Sequence, residues 1–428
     1  MPSFAVRNFG CRVNQAETFA WADDFRARGL RLDGAWDRSD VVLVNSCTLT
    51  GRADRDVRKF IRAAARVNPA VRIVVTGCLA ERAPAEIAAM PNVVAVLPQS
   101  AKEGIAARLI EIAGGESAPG ASAGTDVPAE PGTDAAFRRR AFLKVQDGCD
   151  DRCAFCVIPS VRGRSRSVAP DRVVAEARDL SGRGFREIVL AGIHLSSYGE
   201  DLEPRSTLLD LLRELGTAAP TARFRLSSLD PRMTGAELLA HIAASPAVCP
   251  HFHLSLQHAS ARILRLMGRT AGAGDYVGVM AELRRLAPDA AIGADVIVGF
   301  PGETDADFAE LRDLLEASPL SYFHVFPYSP RRGTPAALRP ALPAGVVTER
   351  ATALRRLSAG KDLHFRRRFT GRTLDGVVIA RPEQGEAEIM TGNAVQVAVP
   401  TCPAGEGERV RVAIRRVLPH RTEGEVVA

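Results

Sequence analysis

No run of apolar residues in this 428-residue chain reaches the length of a membrane span. The opening stretch, Met1 to Gly10, lacks the basic start and long apolar core of a secretory leader. Neither sign of charge dominates, with 56 Lys and Arg against 50 Asp and Glu. These absences argue against a membrane-spanning or exported protein and make the cytoplasm the expected location. The small basic excess permits a nucleic-acid partner without requiring one. Eight cysteines in such a compartment point to metal ligation rather than disulfides. A composition that is 46% hydrophobic and 25% charged is that of an ordinary soluble protein, and the length calls for about two to four domains.

One further absence is local. The densest cysteine stretch, Lys144 to Cys156, carries Cys149, Cys153 and Cys156 at spacing C-x3-C-x2-C and has no fourth cysteine nearby. Ferredoxin-type iron–sulfur clusters normally take four. Three thiolates on one loop can hold three irons of a four-iron cluster and leave the fourth open to a non-protein ligand. Zinc is the alternative, although zinc loops favour paired C-x2-C spacings and a fourth ligand at a set distance.

The N-terminal region alternates strand-like and helix-like runs: strands at Phe4–Phe9, Val41–Val44 and Val71–Val75, helices at Gln15–Arg28 and Arg52–Val67. This alternation predicts a parallel sheet with helices on its faces. Cys11, Cys47 and Cys78 each fall just past the end of one of these strands. Carboxyl ends of parallel strands share one edge, where ligands bind. The three are therefore expected to converge on a second metal site. The alternative is three buried structural cysteines.

From Ala113 to Ala136 the composition shifts to Gly, Ala, Ser, Pro and Thr, as in a linker. Beyond it, a strand-plus-helix unit recurs about six times. Its strands are expected at Phe142–Gln146, Glu187–Ala191, Arg223–Ser227, His253–Leu256, Ala294–Val298 and Phe323–Phe326. Polar or glycine-rich clusters follow nearly every one, predicting a partial (βα)6 barrel with its active face at the strand ends. The last stretch, from Arg366, alternates as in a small β-barrel and holds ten arginines and eight acids. RNA binding or a purely structural role both fit it. The expected fold class is α/β, with a parallel α/β domain at 1–112, the linker at 113–136, the partial barrel at 137–365 and the small β-barrel at 366–428.

Lys144 to Cys156 resembles the cysteine loop of radical S-adenosylmethionine (SAM) enzymes. Together with Gly10-Cys11-Arg12-Val13-Asn14-Gln15, Val44-Asn45-Ser46-Cys47-Thr48 and Val75-Thr76-Gly77-Cys78, it resembles the methylthiotransferases. Ala191 to Gly199, Leu226-Ser227-Ser228 and Phe323 to Thr334 are similar to the branch acting on N6-threonylcarbamoyladenosine in tRNA. Two stretches depart from the family pattern: His258-Ala259 after Gln257, and Thr270-Ala271-Gly272 after Arg269.

The resemblance implies two [4Fe-4S] clusters and SAM as cofactors, and a C-terminal TRAM barrel. It implies that Cys149, Cys153 and Cys156 hold the cluster that binds SAM and generates a 5′-deoxyadenosyl radical. Cys11, Cys47 and Cys78 would hold the auxiliary cluster that delivers sulfur to carbon 2 of the modified adenine at position 37. Phe155, Gly192, Ser228, Gln257 and Gly299 are the expected SAM-side residues. Partners would be the tRNA anticodon loop and an electron donor. The run Arg162 to Ser167 is expected either to meet the tRNA backbone or to form a solvated or ion-paired loop. His194, His253 and His258 are expected as hydrogen-bonded supporting residues. The alternatives are a methylthiotransferase acting on isopentenyladenosine tRNA or on a ribosomal-protein aspartate, and a non-catalytic metal-containing RNA-binding module.

Overall fold

The computed structural model describes residues 3–32, 35–113, 140–269, 273–381 and 385–427. The expected linker beyond residue 113 and the Thr270-Ala271-Gly272 departure lie outside the described residues. Packing divides the chain into two units. The first runs through residue 113 and also takes in Gly148–Asp150 and Cys156–Arg164. The second holds Arg140–Asp147, Asp151–Phe155 and the chain from Ser165 onward.

The first unit contains β1 (Ser3–Asn8), α1 (Arg12–Ala27), β2 (Arg31–Leu32), β3 (Val41–Ser46), α2 (Gly51–Val67), β4 (Arg72–Gly77), α3 (Cys78–Arg82), α4 (Pro84–Ala88), β5 (Val93–Val96) and α5 (Ile105–Ala113). The strands form one parallel sheet in the order β2-β1-β3-β4-β5. Strand β3 reads Val-Val-Leu-Val-Asn-Ser and is buried throughout, as a central parallel strand must be when both sheet faces are covered. Period-2 alternation divides its side chains. Val42 and Val44 join Val57 and Ile61 of α2 on one face, and Val41 and Leu43 join Phe25 and Leu109 on the other. Helix α2 starts where the Thr50 hydroxyl accepts from the Ala53 N–H at 3.2 Å. The expected strands and helices of this region are all present; β2, β5, α3, α4 and α5 are additions.

The second unit begins with β6 (Ala141–Lys144) and β7 (Gln146–Asp147). A short helix of the first unit, α6 (Ile158–Arg162), intervenes before β8 (Arg166–Ser167). Then come α7 (Pro170–Gly182), β9 (Glu187–Ala191), α8 (Leu208–Ala218), β10 (Arg223–Leu226), α9 (Ala236–Ala244), β11 (His251–Gln257), α10 (Ala261–Leu266), α11 (Ala273–Leu286), β12 (Ala291–Val298), α12 (Asp305–Ala317), β13 (Tyr322–Pro327) and α13 (Ala344–Arg367). Parallel sheets β6-β9-β10 and β11-β12-β13 meet where Leu229 N–H donates to the His253 carbonyl and Ser255 N–H to the Leu229 carbonyl, at 2.7 and 3.0 Å. Among the described residues no pairing joins β6 to β13, so the six strands form an open arc, the expected partial barrel. Gln146, expected at the end of the first central strand, instead pairs antiparallel with Ser167, and Asp147 with Arg166, as β7 and β8.

Strands β14 (Thr373–Ala380), β15 (Ala387–Thr391), β16 (Gln396–Val399), β17 (Arg409–Leu418) and β18 (Arg421–Val427) close a small barrel in the order β14-β15-β16-β18-β17. Its core of Val378, Ile389, Val397, Val412 and Ile414 extends to Phe365 on α13 and to Ala291 on β12. Among the described residues no helix is long and apolar enough to cross a membrane.

Candidate active site

In the first unit, strand register brings three cysteines to one edge. Asn8 pairs with Asn45, and Ser46 with Gly77, so β1, β3 and β4 end side by side. Cys11, Cys47 and Cys78 follow directly. Cys47 and Cys78 are buried and Cys11 is half-buried. Gly77 takes φ +92, and a Cβ there would lie 2.4 Å from the Ser46 carbonyl oxygen, so this turn into Cys78 requires glycine. The Ser46 hydroxyl then caps α3 by accepting from the N–H groups of Leu79 and Ala80 at 3.1 and 3.2 Å.

Buried amides brace the edge. Asn14 Nδ2 donates to Asn45 Oδ1 at 2.8 Å and to the Ser46 carbonyl at 3.1 Å, and the Cys11 thiol donates to Asn14 Oδ1 at 3.3 Å. Arg162 Nε donates to Cys78 Sγ at 3.3 Å. Arg162 and Lys102 both pair with Glu17, at 3.1 and 2.6 Å. Burial draws the Lys102 ammonium below its ordinary range and Glu17 works the other way. Burial pushes the Cys47 thiol up to about 12, helped by Cys11, and burial likewise raises Cys78 against the pull of Arg162. Buried thiols beside the buried Arg162 guanidinium fit a site completed by a thiolate-ligated metal centre, in which thiolates would help to balance that charge.

The central cysteine loop is closed at its base by the β7–β8 pair. Gly148 has φ +70, and a Cβ there would stand 1.9 Å from the Arg164 carbonyl oxygen. Cys149 N–H donates to the Gly163 carbonyl at 3.2 Å. Cys156 Sγ accepts from Ile158 N–H at 3.4 Å. Cys153, in the second unit, has Arg269 Nη1 3.8 Å from its sulfur. Its neighbour Ala154 is tied on both sides, N–H to the Met267 carbonyl at 2.8 Å and carbonyl to the Ala336 N–H at 2.9 Å. Burial raises the Cys153 thiol, and Arg269 offsets part of that rise. All three cysteines are half-buried, and each sulfur or adjacent amide is held by a donor or acceptor that sets its direction. The donor set suits an open thiolate-ligated cluster.

The expected SAM-side residues are spread over the strand ends of the second unit. Phe155 packs with Ala154, Ile263, Met267, Ile297 and Phe300. Gly192 follows β9, and its N–H donates to Ser227 Oγ at 3.2 Å. Ser228 is half-buried just past β10, and Gln257 ends β11 at φ +68. Gly299 has φ +74, but a Cβ there would meet Val347 of α13 at 2.6 Å, so the close neighbour at this glycine is a side chain of the protein.

His194 approaches Asp230 at 3.5 Å, and His253 lies 2.9 Å from Asp295 and 3.2 Å from the Tyr322 hydroxyl. His258 accepts from Ser260 N–H at 3.0 Å. All three are engaged supporting residues, as expected. Arg162 takes the ion-paired alternative, buried within the first unit against Glu17 rather than facing RNA or solvent.

The sequence reading missed Asp230. Its carboxylate gathers Arg232 and Arg269 at 2.6 and 2.8 Å, and Arg232 also holds Asp151 of the cysteine loop at 2.6 Å. Burial disfavours the Asp230 anion, but His194, Arg232 and Arg269 outweigh it and keep the group far below the usual carboxylate range. Asp230 and Arg269 are 39 positions apart, so no local pattern announces the pair.

A model described as the radical SAM superfamily matches residues 143–315, and one described as uncharacterized protein family UPF0004 matches residues 3–98. The chain is 36% identical over 404 residues to a threonylcarbamoyladenosine tRNA methylthiotransferase of Aquifex aeolicus, covering 92% of this chain and 95% of the relative. It is 33% identical to the Bacillus subtilis protein of the same name over 440 residues, covering 100% of this chain and 97% of the relative. A ribosomal protein uS12 methylthiotransferase of Roseiflexus is 34% identical, covering 91% of this chain and 88% of the relative.

Among solved structures, a radical SAM methyltransferase of Kitasatospora setae superposes with TM-score 0.56 at 15% identity, covering 79% of this chain and 75% of that one. The fold is thus that of a radical SAM enzyme. The chain belongs to the methylthiotransferase family of these enzymes, which transfer sulfur-containing groups with SAM and [4Fe-4S] clusters as cofactors.

Proposed function

We propose that the chain adds a methylthio group to carbon 2 of N6-threonylcarbamoyladenosine at position 37 of tRNA. The observation that carries the reading is end-to-end likeness to relatives named for that reaction, 36% and 33% identical over 92% and 100% of this chain. In this reading Cys149, Cys153 and Cys156 hold the SAM-binding cluster and Cys11, Cys47 and Cys78 the auxiliary one. Such a pair supplies radical hydrogen abstraction at one centre and sulfur at the other.

The chain's own part is positional. The β7–β8 pair closes the loop, the Met267 and Ala336 backbones clamp Ala154 beside Cys153, and Phe155 with Ile297 and Phe300 lines the loop with apolar surface that excludes water. Gly192, Ser228, Gln257 and Gly299 lie at strand ends on the SAM side. The anticodon loop is the part of tRNA presented, an electron donor completes the reaction, and the cytoplasm is the setting.

Mass spectrometry of tRNA nucleosides with and without the gene tests the assignment. Loss of the 2-methylthio form of threonylcarbamoyladenosine on deletion is expected, and an unchanged level refutes it. A second reading, methylthiolation of a ribosomal-protein aspartate, is favoured by relatives of the uS12 type at 34% to 36% identity. Deletion would then remove a mass increment from uS12 and leave tRNA untouched.

A further inference from the structure

Arg162 stands in the arginine-rich run that follows the central cysteines, yet its side chain is only 1% exposed. Its guanidinium works inside the first unit. Nε donates to Cys78 Sγ at 3.3 Å, Nη2 to Asn14 Oδ1 at 2.8 Å and Nη1 to Glu17 Oε1 at 3.1 Å. Asn14 in turn accepts from the Cys11 thiol at 3.3 Å. Lys102 takes the other Glu17 oxygen at 2.6 Å. Burial works against the Lys102 charge and Glu17 supports it, while the Arg162 guanidinium stays charged beside the sulfur edge. A buried charge is costly unless something of opposite sign lies close by, and thiolate ligands would add to what Glu17 supplies.

The residue after Arg162 is tied to the other cysteine set. Gly163 ends α6 with φ +77, and its carbonyl accepts from Cys149 N–H at 3.2 Å. Two hydrogen bonds and a single peptide link therefore connect Cys149 to Cys78.

We infer that Arg162 is a positioning residue of the auxiliary centre, aiming Cys78 through an N–H···S hydrogen bond and raising that centre's reduction potential with its buried charge. The inference rests on the reading of Cys11, Cys47 and Cys78 as cluster ligands. Its sign follows from elementary electrostatics. Reduction adds negative charge to the centre, and a nearby cation or N–H donor to sulfur stabilises the reduced form more than the oxidised one. Glu17, of opposite charge and in the same network, opposes it.

The test uses the full-length chain, reconstituted anaerobically, with Cys149, Cys153 and Cys156 all changed to Ala so that only the auxiliary centre contributes. Iron content and the midpoint potential followed by electron paramagnetic resonance are measured before and after a further substitution. R162Q is expected to shift the midpoint to more negative values, R162K to give a smaller shift and E17Q to move it in the positive direction. Structural damage alone does not produce shifts of opposite sign. If the parent binds iron but R162Q and E17Q leave the midpoint where it was, the inference fails while the ligand reading stands. If the parent binds no iron, the ligand reading fails, and the inference with it. Should R162Q not load, R162K and E17Q carry the comparison, and an unmoved midpoint in both overturns the role.

Discussion

Arg225 and Glu187 form a forked ion pair shielded from water. Arg225 Nε and Nη2 donate to the two Glu187 oxygens at 2.7 and 2.8 Å, with side chains 2% and 0% exposed. The same guanidinium donates to the Gly392 and Thr391 carbonyls at 3.1 Å each. One arginine on β10 therefore joins the arc of strands to the small barrel. Arg225→Ala removes the fork and leaves the buried carboxylate with Arg140 at 3.3 Å and the Cys249 thiol at 3.6 Å. A loss of about 3–5 kcal/mol is expected in urea unfolding. The double change to Met at both positions should cost clearly less, because no buried charge is left unpaired.

The pair also gives stability a pH dependence. Burial works against ionisation of Glu187, but Arg225 and then Arg140 overcome it and lower its pKa to about 2. A carboxyl held below its unfolded value stabilises the fold fully above that value, and the contribution is lost as pH falls through the folded one. The window runs from about 4.3, the unfolded value, down to about 2. Roughly 3 kcal/mol should be lost across it. Unfolding midpoints of the parent should fall with pH there more steeply than those of the double Met variant.

How much of this was legible depends on how local the cause is. Glu187–Ala191 reads as a buried strand and is one, because burial on both faces demands the apolar run seen in its residues. The placement of Cys11, Cys47 and Cys78 was equally readable, since in a parallel sheet strand direction alone sends them to one edge. Helix α13 was overlooked: only Ala351, Leu354 and Phe365 among its apolar residues are buried, so its charged sequence shows little periodicity. For Arg162 the sequence leaves phosphate contact, solvation and ion pairing open. Its partner Glu17 is 145 positions away, and only the folded chain shows that an arginine in a basic run is held inside. Asp230, with Arg269 39 positions on, escaped for the same reason.

Thiol reactivity follows from the first unit. In iron-free protein Cys47 and Cys78 are buried and protonated at neutral pH, while Cys11 is half-buried. The thiolate is the reactive form. Brief alkylation with iodoacetamide at pH 7.5 (about one unit below a free thiol's pKa) should label Cys11 well before the other two, as read by peptide mass spectrometry. Iron loading must displace the Cys47 and Cys78 protons, so uptake should improve as pH rises. Equal labelling of all three would contradict the buried arrangement.

Gly148 isolates the role of loop geometry. It has φ +70, and a Cβ would stand 1.9 Å from the Arg164 carbonyl oxygen, so Gly148→Ala must displace the segment that leads into Cys149. Its backbone cost is about 1–3 kcal/mol, modest for the whole fold. The expected result is a folded protein with about four irons per chain instead of about eight, two four-iron clusters being the full complement. Formation of 5′-deoxyadenosine from SAM should fall at least as far as in Cys149→Ala. Retained cleavage in Cys149→Ala would reject that cysteine as a ligand.

The barrel's contribution to RNA binding can be separated from its structural one. Arg409 and Arg411 are exposed and two apart on β17, and so point from the same face of the strand. Arg415 and Arg421 on the same barrel are paired with Glu425 and Glu386. The barrel core also reaches Phe365 and Ala291, so deleting the barrel would damage the fold as well as any RNA surface. The cleaner change is Arg409→Gln with Arg411→Gln, which touches no core residue. If both side chains meet phosphate, tRNA affinity should fall and the slope of log affinity against log salt should flatten by about 1.4, near 0.7 for each phosphate no longer neutralised on single-stranded RNA. Urea stability should stay within about 0.5 kcal/mol of the parent, as for surface substitutions generally. An unchanged salt slope would place the RNA on a different face and leave the barrel the structural role that Arg225 gives it.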